Sequence, residues 1–320
     1  MKAIPAELAE QVCSVGIDMT ATVRLAAIFH RSLARRAANK LGEAQRPEVE
    51  DLVRHTRRLS PATVHSLYKN LGDADLAETR HQLEKAGSPA PTTVYTGAHD
   101  CLWLRDGLRE VLRSLDWGEE NVGTVVTVLP PEVRRSLELA RLALRSAWPE
   151  AWSEHNTLVE YLVFVQGPVR SATLQSTFGA IYAELQEAGD PLRMYELLLH
   201  ETAHHTLALR EQFTRFIDNP DAVGTHALRP DPRPLRGVLH AAFVMCRIAE
   251  GLRRYQHSHL AGGPLDGCPV RERRAFALQS LQAALALLDE SAQWTEDGLV
   301  LKAALEACAR REAADLEVRS

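Results

Sequence analysis

His200, Glu201 and His204 stand as H-E-x-x-H within LLLHETAHHTLAL, residues 197–209. On an α-helix, positions i and i+4 share one face, so the two imidazoles can meet at one metal ion. Glu201, one residue on, is close enough to act beside that ion without having to bind it. His205 points about a quarter-turn away and reads as structural or as a support for the ligands. A catalytic metal needs a third protein ligand and open positions for water or substrate. His240 is the first candidate. It is a lone polar residue early in an apolar helix, GVLHAAFVMC, where it requires a buried partner. Glu250 comes next, then His226, with Asp231 also nearby in the chain.

Just before His240, LRPDPRPLRG brings Arg229, Arg233 and Arg236 together. Prolines stiffen such a segment and lower the entropy cost of fixing an arginine. Arginine pairs with carboxylates in bidentate fashion. A zinc peptidase has no obligatory need for such a cluster, because a metal-bound water and a base such as Glu201 suffice. An iron oxygenase using 2-oxoglutarate does need a cation for the distal carboxylate while the oxo-acid end chelates the iron.

These residues must be positioned by a helical frame. Ala, Leu, Arg and Glu are abundant and aromatics are only 6%, which favours helix. Helical apolar spacing runs through 20–40, RPEVEDLVRHTRRL, SPATVHSLYKNLG, DADLAETRHQLEKAG, GAHDCLWLRDGLREVLRSLDW and 130–148. NTLVEYLVFV (156–165) and STFGAIYAEL (176–185) read as two strands of a small sheet. Asp190 and Pro191 are an N-cap and first helical residue for a motif helix reaching about Phe216. Residues 218–237, with their prolines, read as an ordered loop or linker without regular structure. Helix resumes at VLHAAFVMCRIAEGLRRY, and two further helices, about 270–290 and 296–315, close the chain. The expected fold is mainly α (α+β), bundle-like, with a small antiparallel sheet next to the H-E-x-x-H helix. The expected organisation is an N-terminal helical region, 1–120, and a metal-binding catalytic region, 121–320, packed as one unit.

The composition excludes some classes. A net charge of −5 argues against general nucleic-acid binding. No apolar run approaches membrane-spanning length, and charges interrupt the N-terminus where a signal peptide would be apolar. Five dispersed cysteines without a C-x-x-C pair argue for a reducing, cytoplasmic setting and against a disulfide framework.

LLLHETAHHTLAL followed by LRPDPRPLRGVLHAAFV resembles the H-E-x-x-H peptide-modification family. These are 2-oxoglutarate-dependent peptide β-hydroxylases of ribosomally synthesised and post-translationally modified peptide (RiPP) biosynthesis. The resemblance covers about 155–256, including SATLQSTFGAIYAE. Ala227-Leu228-Arg229 stands where the family often has Pro-Trp-Arg, and Ala241 where it often has Gly. The resemblance implies that His200, His204 and His240 ligate Fe(II) and that Arg233, with Arg229 or Arg236, holds 2-oxoglutarate. It also implies that O₂ is consumed, that a β-carbon of a precursor peptide is hydroxylated, and that Glu201 tunes the iron from its periphery. Two other readings stay open. One is a zinc metallopeptidase with Glu201 as general base. The other is a non-catalytic peptide-binding relative, whose basic runs at 30–40 and 54–58 would hold an acidic leader.

Overall fold

The computed structural model describes residues 12–38, 58–69, 92–97, 101–114, 124–167, 171–226, 229–260, 263, 265 and 269–318. In chain order these form α1 (Met19–Ala38), α2 (Pro61–Lys69), β1 (Thr93–Val94), α3 (Leu102–Ser114), β2 (Thr124–Val125), α4 (Pro131–Ala147) and α5 (Pro149–Leu158). Then come β3 (Tyr161–Gln166), β4 (Ala172–Thr173), β5 (Ala180–Glu184), a 3₁₀ turn (Glu187–Gly189) and α6 (Pro191–Arg210). The chain continues with β6 (Val223–His226), β7 (Arg229–Pro234), α7 (Leu235–His257), α8 (Val270–Ser291) and α9 (Glu296–Val318). The fold is mainly helical with a small sheet. Helices expected over RPEVEDLVRHTRRL and DADLAETRHQLEKAG fall largely or wholly outside the described residues. No described helix is long and apolar enough to cross a membrane.

The chain divides into two compact units that interleave in sequence. One holds Met1–Ala21, Arg135–Ser153 and Asp190–Ser320; the other holds Thr22–Arg134 and Glu154–Gly189. The five-stranded sheet belongs to the second unit, in the order β1-β3-β5-β4, with β2 also on β3. Both predicted strands form, but β3 and β5 pair in parallel, Tyr161 opposite Ala180 through Val165 opposite Glu184. Only β2 on β3 and β4 on β5 are antiparallel. The residues explain this. Leu162–Val165 and Ala180–Ala183 are buried without alternation, the pattern of strands covered on both faces. The sequence separation between the end of β3 and the start of β5 is of the length that the crossover of a parallel pair needs. Leu104, Leu108 and Val111 of α3 pack on Val163, Val165 and Tyr182.

His30 of α1 is buried in this unit, beside the rings of Phe29 and Phe178 at 5.3 and 5.8 Å. Its Nδ1 has no hydrogen-bond partner among the described residues. Burial, with Arg58 nearby, pushes its pKa down to about 3. The unfolded chain therefore takes up a proton below about pH 6.5 that the folded chain refuses until about pH 3. The stability present above 6.5 drains away as pH falls through that window. Between pH 6.5 and 5 the loss is about 2 kcal/mol, at 1.36 kcal/mol per unit. The change in urea unfolding free energy between pH 7 and pH 5 should differ by about 2 kcal/mol between the wild-type chain and His30→Leu.

In the first unit α7 packs against α6, α8 and α9. Asp190 caps α6 as expected, its Oδ1 accepting from Leu192 N at 2.8 Å and Arg193 N at 3.4 Å. The helix stops at Arg210, short of Phe216. Arg210 turns inward so that its guanidinium donates to the Ser14 and Gly16 carbonyls. Phe213, Phe216 and Ile217 are then buried in a non-helical segment that bonds to residues 293–295.

The proline segment corrects the expectation of irregular structure. Residues 223–226 and 229–234 pair antiparallel as the two arms of a hairpin, Gly224 opposite Arg233 and Val223 opposite Pro234. Proline lacks only the N–H, and in a two-stranded ribbon every second N–H faces outward. Pro230, Pro232 and Pro234 occupy that alternate set. The antiparallel pair in the motif helix's own unit is therefore this hairpin, which leads directly into α7.

Candidate metal centre

The motif helix and α7 approach closely at Gly251. Tyr195 Oη donates to the Gly251 carbonyl at 2.9 Å. A Cβ at Gly251 would lie 2.4 Å from Leu199 Cδ1 and 3.4 Å from Tyr195 Oη. Leu199, which precedes His200, is buried. Gly251→Ala should therefore cost about 1–3 kcal/mol through overpacking. Denaturant midpoints of wild type and variant would show it.

That contact brings three of the predicted site residues together. His200 Nε2 and His204 Nε2 face each other at 3.2 Å. Two nitrogens about 2.0–2.1 Å from one ion at a near-tetrahedral angle lie about 3.3 Å apart, so this pair suits a metal. His200 is 36% exposed, which leaves an approach from solvent. His204 is held well below the usual histidine range, first by burial and then by the neighbouring histidines, so it is a neutral imidazole with a lone pair to give.

His240, from α7, stacks on His204 with ring centroids 5.4 Å apart. Its Nδ1 faces His204 Nδ1 at 3.2 Å. One imidazole cannot offer both nitrogens to the same ion. As oriented, His240 is a hydrogen-bond partner of His204 and not a co-ligand with it. In keeping with this, no three His, Cys, Asp or Glu side chains among the described residues converge as a ready-made metal-binding group.

Glu201 is 2% exposed, and its Oε2 has no hydrogen-bond partner among the described residues. Its Oε1 lies 3.9 Å from His200 Nε2. Burial pushes its pKa up to about 8. A buried carboxyl without a partner is costly unless a cation or donor compensates it, and an ion between His200 and His204 would sit beside it. His205 is buried in the protein, as its quarter-turn offset predicts.

Glu211 was not singled out in the sequence. Its Oε2 lies 3.1 Å from His240 Nε2 and 2.6 Å from Arg236 Nη2. Arg236 Nε also reaches Oε2, at 3.0 Å. His240 and Arg236 hold the Glu211 carboxyl at about 2, against the opposing effect of burial, the largest single influence. A signal was available: Glu211 follows His204 by seven residues, two helical turns, and so lies on the same face.

The arginines separate. Arg236 is committed to Glu211. Arg233 is half-buried and makes no hydrogen bond or ion pair among the described residues. Arg229, His226 and Asp231 are placed on the hairpin by their backbone, and their side chains lie outside the described set. Glu250 is engaged elsewhere, with Arg253 at 2.8 Å, Arg254 at 2.7 Å and Arg311 at 2.8 Å. That leaves it no free oxygen to turn toward a metal.

Compared with models of known protein families and with curated proteins, the chain shows no match to either.

Proposed function

We propose that this protein is an Fe(II)- and 2-oxoglutarate-dependent dioxygenase that hydroxylates a β-carbon of a ribosomally made precursor peptide in the cytoplasm. The observation that carries the reading is the facing pair of Nε2 atoms, 3.2 Å apart, on one helix face. Arg233, on the strand that runs into α7 and without an ion pair among the described residues, supports the choice of cosubstrate. Bound iron supplies the activation of O₂, coupled to oxidation of 2-oxoglutarate to succinate and CO₂.

The chain's own residues do the rest. His200 and His204 offer their Nε2 lone pairs. Arg233 presents a guanidinium to the distal carboxylate of 2-oxoglutarate. The open side of His200 admits the peptide. Glu201 keeps a carboxyl beside the ligands and, being buried, answers to the charge placed there. His240, the expected third ligand, would reach the same ion as His204 only after one of the two rings turned.

Anaerobic titration with Fe(II) and then 2-oxoglutarate, followed by visible absorption, tests this reading. A weak band should appear only with both and vanish in His200→Ala and Arg233→Ala. Glu201 Oε1, 3.9 Å from His200 Nε2, favours one other reading, a zinc peptidase with Glu201 as base. In that case no band forms, zinc binds tightly, and peptide cleavage depends on Glu201.

A further inference from the structure

We infer that Glu211 is a positioning residue that sets the tautomers of His240 and His204, making His240 an outer partner of His204. The inference rests on the metal reading above and adds a part to it. The groups form a chain: Arg236, Glu211, His240, His204, His200. Its links are 2.6, 3.1, 3.2 and 3.2 Å long.

A carboxylate paired with an arginine only accepts hydrogen bonds. His240 must therefore donate its Nε2–H to Glu211. A neutral imidazole then carries a bare lone pair on Nδ1. That lone pair faces His204 Nδ1, which must be the protonated nitrogen of its ring. His204 Nε2 is left bare and pointed at His200 Nε2, the position a metal takes. With His240 neutral, each link allows one proton arrangement, so a single carboxylate on the C-cap of α6 orients two rings. Carboxylate-to-imidazole contacts of this kind fix a ligand's tautomer and raise its basicity. Here the effect passes through one more imidazole. The geometry also explains why His240 sits in an apolar helix: its two nitrogens are satisfied by His204 and Glu211.

Nitrogen-15 chemical shifts of the histidine rings in the metal-free protein, recorded where each ring carries a single proton, together with Co(II) titration, provide the test. The wild type should show His240 protonated at Nε2 and His204 at Nδ1. Glu211→Ala should lose both preferences and weaken Co(II) binding about 10–100-fold with stoichiometry unchanged. Glu211→Gln, which keeps an acceptor oxygen, should recover part of the affinity and guards against misfolding of the alanine variant. His240→Ala should likewise weaken binding without abolishing it. Wild-type His240 protonated at Nδ1, or unchanged tautomers and affinity in Glu211→Ala, would overturn the inference. Complete loss of Co(II) binding in His240→Ala, equal to that in His200→Ala, would place His240 on the metal and overturn its outer role. Absence of Co(II) binding in the wild type, with the tautomers as stated, would sink the metal reading and leave the proton relay standing.

Discussion

His204→Ala should abolish the proposed metal binding, and with it any turnover, while leaving the helix in place. His204 is the central residue of the cluster. Its Nε2 faces His200 and its Nδ1 faces His240. Alanine is the best helix former, and the α6 cap at Asp190 lies three to four turns away. The loss should exceed the ~10–100-fold expected for an outer partner, because a whole coordinating group goes. Equilibrium dialysis with Co(II) or Zn(II), alongside far-UV circular dichroism, measures both halves. Glu250→Gln is the contrast. Its carboxylate serves Arg253, Arg254 and Arg311, so it should cost stability and leave metal stoichiometry intact. Retained stoichiometric binding in His204→Ala would remove the basis for placing a metal here.

Arg274→Ala should be the most destabilising single change in the helical unit, at about 3–5 kcal/mol. Arg274 of α8 and Glu312 of α9 are both fully buried. Arg274 Nε donates to Glu312 Oε2 at 2.8 Å, and Nη1 donates to Asp315 at 2.6 Å and Gln256 at 3.2 Å. Arg253 adds a second contact to Glu312 at 3.0 Å. Deleting this cation leaves the buried Glu312 carboxylate mainly to Arg253, so its desolvation is only partly offset. The thermal midpoint should fall by about 10 °C. Arg274→Met with Glu312→Leu removes both charges and keeps much of the volume, so it should recover a large part of that loss. If the alanine variant melts within a degree or two of wild type, the network is far better hydrated than its burial indicates.

What could be read from the sequence was what depends on neighbours in the chain. The i, i+4 spacing put His200 and His204 on one face because helix geometry alone decides it. Asp190 and Pro191 marked the start of the motif helix because capping is a local hydrogen-bond matter. The β-rich runs 156–165 and 176–185 identified the strands that form at 161–166 and 180–184, and the mainly helical character followed from composition. What needed the tertiary structure was every decision made by a distant partner. Parallel pairing of β3 and β5 depends on the crossover and on burial of both sheet faces. The hairpin through the proline segment depends on which N–H groups face outward. The end of the motif helix at Arg210 depends on the carbonyls of Ser14 and Gly16. At the site, His240 was chosen from sequence as the third metal ligand, because a lone polar residue in an apolar helix needs a buried partner. The partner it takes in the fold is Glu211 on one nitrogen and His204 on the other. Hydrogen-bond direction between groups on separate helices is set by their approach, and periodicity within a single helix carries no record of it.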